Sequence, residues 1–336
     1  MTIRTRRCLP FYHPTRVVFV DDDRAFLNLL PLRLGGGIPF LRFESPRELL
    51  AEIKSGRLQA ALDLDCWDSY PAEGDREGLE QVVSFDTSMI YMRVFNRSRF
   101  GLVSVVVIDY QMPEMSGLDL CRQLAHFPCK RILLTGQADE ALAVHAFNEG
   151  LIDMYLPKLH PRLDTELNLA IQRFQFRFLE LGTELITKVL NAADPVIWGD
   201  DAFARFFNQV CADRGIVEYY AVSRPHGYLL VNARGQAELM LFYDDAEIDA
   251  QYASATASRA PEGVAAQLQS RRSALYFPHD DAEWVLAEAQ WWEACVALHP
   301  FPGRDDRYYA LVGDPRPFMV NPDTILGLER YLDYTA

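Results

Sequence analysis

The chain has no run near the roughly 20 consecutive apolar residues that a membrane span needs. Met1–Arg16 holds Arg4, Arg6, Arg7 and Arg16 but no apolar core, so neither a membrane anchor nor a signal peptide is expected. Cys8, Cys66, Cys121, Cys129, Cys211 and Cys295 are scattered, with no Cys-x-x-Cys. That argues against a disulfide framework or a zinc site, and for reduced thiols in a cytoplasmic protein. Lysine is missing from residues 191–336, where 11 Arg face 22 Asp+Glu, a balance of −11. Residues 1–160 hold 18 Lys+Arg and 21 Asp+Glu, a balance of −3. An acidic surface repels phosphate backbones, so nucleic-acid binding by the C-terminal part is disfavoured. Residues 196–336 also lack a helix-turn-helix signature, a Gly-rich phosphate loop, a His-Asp metal motif and a Gly-x-Ser-x-Gly elbow, so no catalytic motif marks them as an enzyme.

What is present is alternation. Val17–Val20 reads as a buried strand, followed by a helix near Arg24–Leu34. A short strand near Phe40–Phe43 leads to Ser45 with Glu48 three residues on, a capping signal for a helix to about Leu58. Further strand–helix pairs follow at Ser104–Ile108 with Gly117–Ala125, and at Arg131–Leu134 with Ala138–Asn148. Met154–Leu156 is a last strand. The order predicts an α/β fold with a doubly wound, five-stranded parallel sheet. About 45 residues near 62–103 interrupt it, where a short connection would serve. This insert opens acidic (Asp63, Asp65, Asp68, Glu73, Asp75) and then suggests a helix from Gly78 to Asn96. It reads as a surface insertion, or alternatively as a partner-docking or dimer element.

From Pro161 to Asn191 the pattern predicts one long helix. Leu167, Ile171, Phe174, Phe178, Leu181 and Leu185 repeat at alternating steps of four and three, an a/d seam that suggests a homodimer stalk over 161–195. The alternative is a helix packed on its own neighbours. Residues 196–336 predict an α+β domain. A helix around Asp200–Arg214 precedes an antiparallel meander of Ile216–Ser223, Gly227–Asn232 and Ala237–Tyr243. Helices near Asp245–Ser258, Pro261–Ser270 and Asp280–Trp292, strands Ala294–Leu298 and Tyr308–Val312, and a helix Pro322–Tyr331 follow.

The chemistry collects at strand ends. The first strand opens into Asp21-Asp22-Asp23, the third ends at Asp109, the fourth delivers Thr135 and the fifth delivers Lys158. In open α/β sheets that edge is where ligands bind. Acids, a hydroxyl and an amine converging there describe a site that binds a divalent cation and handles a phosphoryl group.

This ordered set, with Met112-Pro113, Gly117 and Gly150, resembles the receiver domain of two-component response regulators over about residues 14–160. The resemblance implies a flavodoxin-like fold over 1–160 and phosphoryl transfer to Asp109 from a sensor histidine kinase or phosphotransfer protein. Asp21, Asp22, Asp109 and the backbone carbonyl of Gln111 would hold Mg²⁺. Thr135, Lys158 and the aromatic switch position Tyr155 would bind or report the phosphoryl group, and Gln111 and Gln137 would tune its lifetime. Asp23 leaves the register of the acidic pair open by one residue, and Leu159 stands where the family commonly has proline. The whole arrangement resembles quorum-sensing response regulators of the Legionella Lqs type, with a 161–195 linker and a 196–336 output domain. For that output, three readings stand: a protein-binding module, an enzyme acting on a nucleotide or other small molecule under receiver control, and, third, a DNA-binding regulator.

Overall fold

The computed structural model describes residues 7–34, 37–62, 66–71, 81–136, 140–223, 226–276, 288–304, 306–315 and 321–335. After a short strand β1 (Phe11–Tyr12), the chain enters β2 (Arg16–Val20), α1 (Arg24–Arg33), β3 (Phe40–Phe43) and α2 (Pro46–Lys54). A hairpin of β4 (Trp67–Pro71) and β5 (Gln81–Phe85) and a short helix α3 (Ser88–Tyr91) precede β6 (Val103–Asp109). Then come α4 (Gly117–Gln123), β7 (Lys130–Thr135), α5 (Glu140–Asn148) and β8 (Met154–Pro157). The strands β3-β2-β6-β7-β8 lie side by side, all parallel, in the expected doubly wound order. Every residue of β6 is buried because helices cover both faces. Leu49, Leu120 and Ala143 pack on one face, and Leu27, Leu30, Leu167 and Ile171 on the other.

The expected single long helix is broken. It forms α6 (Leu163–Gly182) and α7 (Glu184–Ala193), followed by α8 (Pro195–Gly199), with Thr183 out of helical geometry at φ −112° and ψ 11°. Gly182-Thr183 is a weak helical pair, and the missing Cβ of Gly182 makes room for Leu62: a Cβ there would lie 2.2 Å from Leu62 Cδ1. The stalk reading needs the same correction. Leu167, Ile171 and Phe174 are buried against Val17, Phe19, Val105 and Val107 of the chain's own sheet, and Phe178 enters a second core. A helix laid on a sheet face has the same apolar spacing as a coiled-coil seam, so the periodicity could not separate the two. Only Leu181 and Leu185 remain exposed, at 47% and 61%.

The last part contains α9 (Asp201–Asp213), β9 (Ile216–Ser223), β10 (His226–Asn232), β11 (Ala237–Asp244), α10 (Asp245–Ala257), α11 (Glu262–Gln269) and β12 (Ser273–Leu275). It continues with α12 (Glu288–Ala294), β13 (Cys295–Ala297), β14 (His299–Pro300), β15 (Arg307–Val312) and α13 (Leu328–Thr335). The meander forms as expected, but the antiparallel sheet runs β1-β9-β10-β11-β15-β14. Phe11 and Tyr12, assigned by the sequence to the first domain, therefore pair with Tyr220 and Tyr219 of the second. Phe203, Phe207, Tyr219, Tyr228 and Phe242 interlock on one face of this sheet, with edge-on and tilted ring contacts that fix its packing. Of the adjacent tryptophans, Trp291 is buried in the core and Trp292 is 42% exposed.

The insert is also corrected. Residues Gln81–Phe85 form a strand, as their paired β-branched valines and a phenylalanine favour, and the expected helix shrinks to α3 with a 3₁₀ turn, Met92–Phe95. Cys66, Ile90, Val94 and Leu102 are buried in the same core as β9–β11. Cys66 and the segment 86–102 therefore belong to the packing of the second sheet rather than to surface decoration.

Candidate phosphoryl-acceptor site

The first sheet delivers its polar residues to one edge, as the strand-end pattern predicts. Asp109 closes β6 and is 5% exposed, and Asp21 follows β2 at 2%. Asp22 is exposed. Ligand oxygens of Asp21, Asp22 and Asp109 all lie within 4.8 Å of one another. The third acid has a different task. Asp23 caps α1, its carboxylate accepting from the amides of Ala25 (2.9 Å) and Phe26 (3.1 Å). That settles the register: Asp21 and Asp22 are the pair facing Asp109. Asp21 is itself oriented by the Asp23 amide, which donates to Oδ1 at 2.9 Å.

Lys158 Nζ bridges the two buried carboxylates, 2.8 Å from Asp21 Oδ2 and 2.9 Å from Asp109 Oδ1. Its backbone is pinned where β8 ends, the Lys158 amide donating to Thr135 O at 2.9 Å. Its ammonium lies 5.0 Å from the Phe26 ring centroid, a cation–π contact with no sequence signature. Burial pushes the Asp109 carboxyl above its ordinary range, opposed by hydrogen bonding from Lys158 and reinforced by the charge of Asp21. Asp21 is raised for the same first reason, burial, again opposed by Lys158. Burial alone would depress Lys158, but its two carboxylate partners hold it above its ordinary value.

Thr135 is fully buried at the end of β7, and its Oγ1 has no hydrogen-bond partner among the described residues. A buried hydroxyl without a partner costs free energy in the state that leaves it so, and a ligand that supplies one relieves that cost. Tyr155, half-buried on β8, packs against the cluster that contains Ala143 and Ala146 of α5. Gln111 is exposed two residues after Asp109, while Gln137 lies outside the described residues. Leu159, which stands where the family commonly has proline, is 78% exposed. Gly117 explains how α4 can start so close to the acid: a Cβ there would lie 2.2 Å from the Asp109 carbonyl oxygen. Across the mouth, Ser45 Oγ donates to Glu114 Oε2 at 2.7 Å.

The donor set is all hard oxygen, which suits Mg²⁺. The arrangement also offers a nucleophilic carboxylate beside a cation and a free hydroxyl, the parts needed to accept a phosphoryl group.

Comparison with known proteins bears on the family of this part of the chain. The family described as response regulator receiver domain matches residues 73–164. The cyclic di-GMP phosphodiesterase response regulator RpfG of Xanthomonas campestris is 36% identical over 66 residues, 18% of this chain and 18% of its own length. The response regulator protein TodT of Pseudomonas putida is 34% identical over 76 residues, 22% of this chain and 32% of its own length. The chain thus spans less than a third of either curated relative. Among solved structures, the Legionella pneumophila response regulator LqsR matches with a TM-score of 0.74 and 29% identity, over 98% of this chain and 96% of that one.

Proposed function

The chain carries the receiver domain of a two-component response regulator in an LqsR-like arrangement, and on that premise we propose that Asp109 is its phosphoryl acceptor. The observation that carries the proposal is Lys158 held between Asp109 and Asp21 at 2.9 and 2.8 Å. An Asp109 oxygen attacks phosphorus, the bond from phosphorus to the donor's histidine nitrogen breaks, and the imidazole leaves with the electron pair. Lys158 then faces the charge gathering on the transferred oxygens. Asp21, Asp22, Asp109 and the Gln111 carbonyl would hold Mg²⁺, which shields phosphoryl charge when bound. Thr135 Oγ1, unpartnered in the present state, donates to a phosphoryl oxygen, and Tyr155 follows its movement.

The donor is a sensor histidine kinase or a phosphotransfer protein. The response includes homodimerisation through the exposed end of the linker, where Leu181 and Leu185 reach solvent. Resemblance to the Lqs type supports a place in cytoplasmic quorum-sensing signalling. Among the described residues no helix is long and apolar enough to cross a membrane. The test is the intact mass after incubation with Mg²⁺ and acetyl phosphate. The wild type gains one phosphoryl group and Asp109→Asn gains none; phosphate retained on that variant would overturn the assignment.

A further inference from the structure

The second charged cluster of the molecule lies at the opposite edge of the first sheet. β6 begins next to the 3₁₀ turn Arg99–Gly101 and ends at Asp109, so one strand of about 20 Å connects that turn to the acceptor site. Arg99 is 2% exposed, and its guanidinium grips Glu218 of β9 with two contacts, Nε to Oε2 at 2.7 Å and Nη2 to Oε1 at 3.0 Å. Both side chains are at 0% exposure. Nη2 also donates to the Leu326 carbonyl at 2.7 Å, Nη1 to the Asn96 carbonyl at 3.2 Å, and Tyr220 donates to Glu218 at 2.7 Å. Three remote parts of the chain, the insert, the second sheet and the segment before α13, thus meet on one guanidinium.

The neighbouring contacts repeat the theme. Arg16, at the start of β2, hydrogen-bonds the Tyr331 hydroxyl of α13. Gln175 of α6 donates to Thr15 O at 2.6 Å, and Thr15 meets Ser104 of β6. A pair so completely removed from water is costly to expose in pieces, because either charge left alone in the interior has nothing to replace its partner.

We propose that Arg99 is a latch that holds the receiver and the second sheet as one body without phosphorylation, and that it holds them so with phosphorylation too, so that the output is never released. The second clause rests on the acceptor reading of Asp109; the first does not.

Hydrogen exchange on the full chain separates them. Without any phosphodonor, Arg99→Met/Glu218→Gln, which removes both charges together, is expected to speed exchange at Phe11–Tyr12 and Glu218–Tyr220 by about tenfold or more, while the amides of β7 keep their protection. Unchanged exchange at those segments overturns the latch; loss of protection in β7 as well shows a general structural role and overturns it too. With Mg²⁺ and acetyl phosphate, the wild type is expected to keep its protection at Glu218–Tyr220 while gaining phosphoryl mass. Tenfold loss there on phosphorylation would mean release and defeat the proposal. If no mass is gained, the acceptor reading and the second clause fall together, while the donor-free comparison still decides the first.

Discussion

Two cation–carboxylate clusters sit at the two ends of β6, and they differ chiefly in access to water. At the acceptor edge, the Lys158 side chain is 25% exposed and Asp22 lies open beside it. At the other edge, Arg99 and Glu218 are both sealed. The chemistry of pairing is alike, but an ammonium on a flexible stem with solvent at hand can trade one carboxylate for another ligand. A guanidinium forked onto one carboxylate in a dry core cannot. Openness therefore separates a site that can react from a site that can only hold.

The comparison can be broken from either end. The largest expected effect is structural. Arg99→Met alone strands a buried carboxylate and should cost about 3–5 kcal/mol of stability in urea titration, while the double variant with Glu218→Gln recovers part of it and keeps the local loss of protection at β1 and β9. A single-variant cost below about 1 kcal/mol would show that water reaches the pair. At the open end, Lys158→Ala should slow phosphoryl uptake from acetyl phosphate by roughly 10²–10³-fold and disturb stability less than Arg99→Met does. Uptake at the wild-type rate would remove Lys158 from the chemistry.

A third test uses His13, which lies fully buried beside the sealed cluster, stacked against Phe11 and Tyr220 and edge-on to Phe100. Burial first, and then the charges of Arg93 and Arg99, depress its pKa well below the ordinary value. The folded protein thus binds fewer protons here than the unfolded chain. Stability is full above the unfolded value of about 6.5 and falls as the pH drops below it, by up to about 1.4 kcal/mol per pH unit. Equilibrium unfolding at pH 7.5 and 5.5 should show that slope, and His13→Phe should flatten it; an unchanged slope in the variant assigns the acid sensitivity elsewhere. The smallest effect concerns the linker. Leu185→Glu should change folding stability by less than about 0.5 kcal/mol while weakening dimers in light scattering, whereas Ile171→Ala should cost about 2–5 kcal/mol. Dimers that survive Leu185→Glu would move the interface away from α7.

The candidate site was legible because each of these residues ends a local apolar run, so topology alone brings Asp21, Asp109, Thr135 and Lys158 to one edge. Asp23 was visible only as an ambiguity, although its place before a helix is that of a cap. The linker was misread because Leu167 to Phe178 would look the same against a sheet or against a second helix. Arg99 and Glu218 carry no local signal at all: 119 residues separate them, and an isolated charge in a sequence reads as surface. Nor could a two-residue strand such as β1 show periodicity.

That strand has a consequence for how the protein is made. Among the described residues Phe11 and Tyr12 pair only with β9, which is synthesised about 200 residues later. At about 5–20 residues per second they wait roughly 10–40 s on the ribosome before their partners exist. During that interval two large aromatic side chains, destined for complete burial, are available to chaperones and to other nascent chains. The first strand to be born therefore cannot take its place at the sheet edge before the ninth has been made.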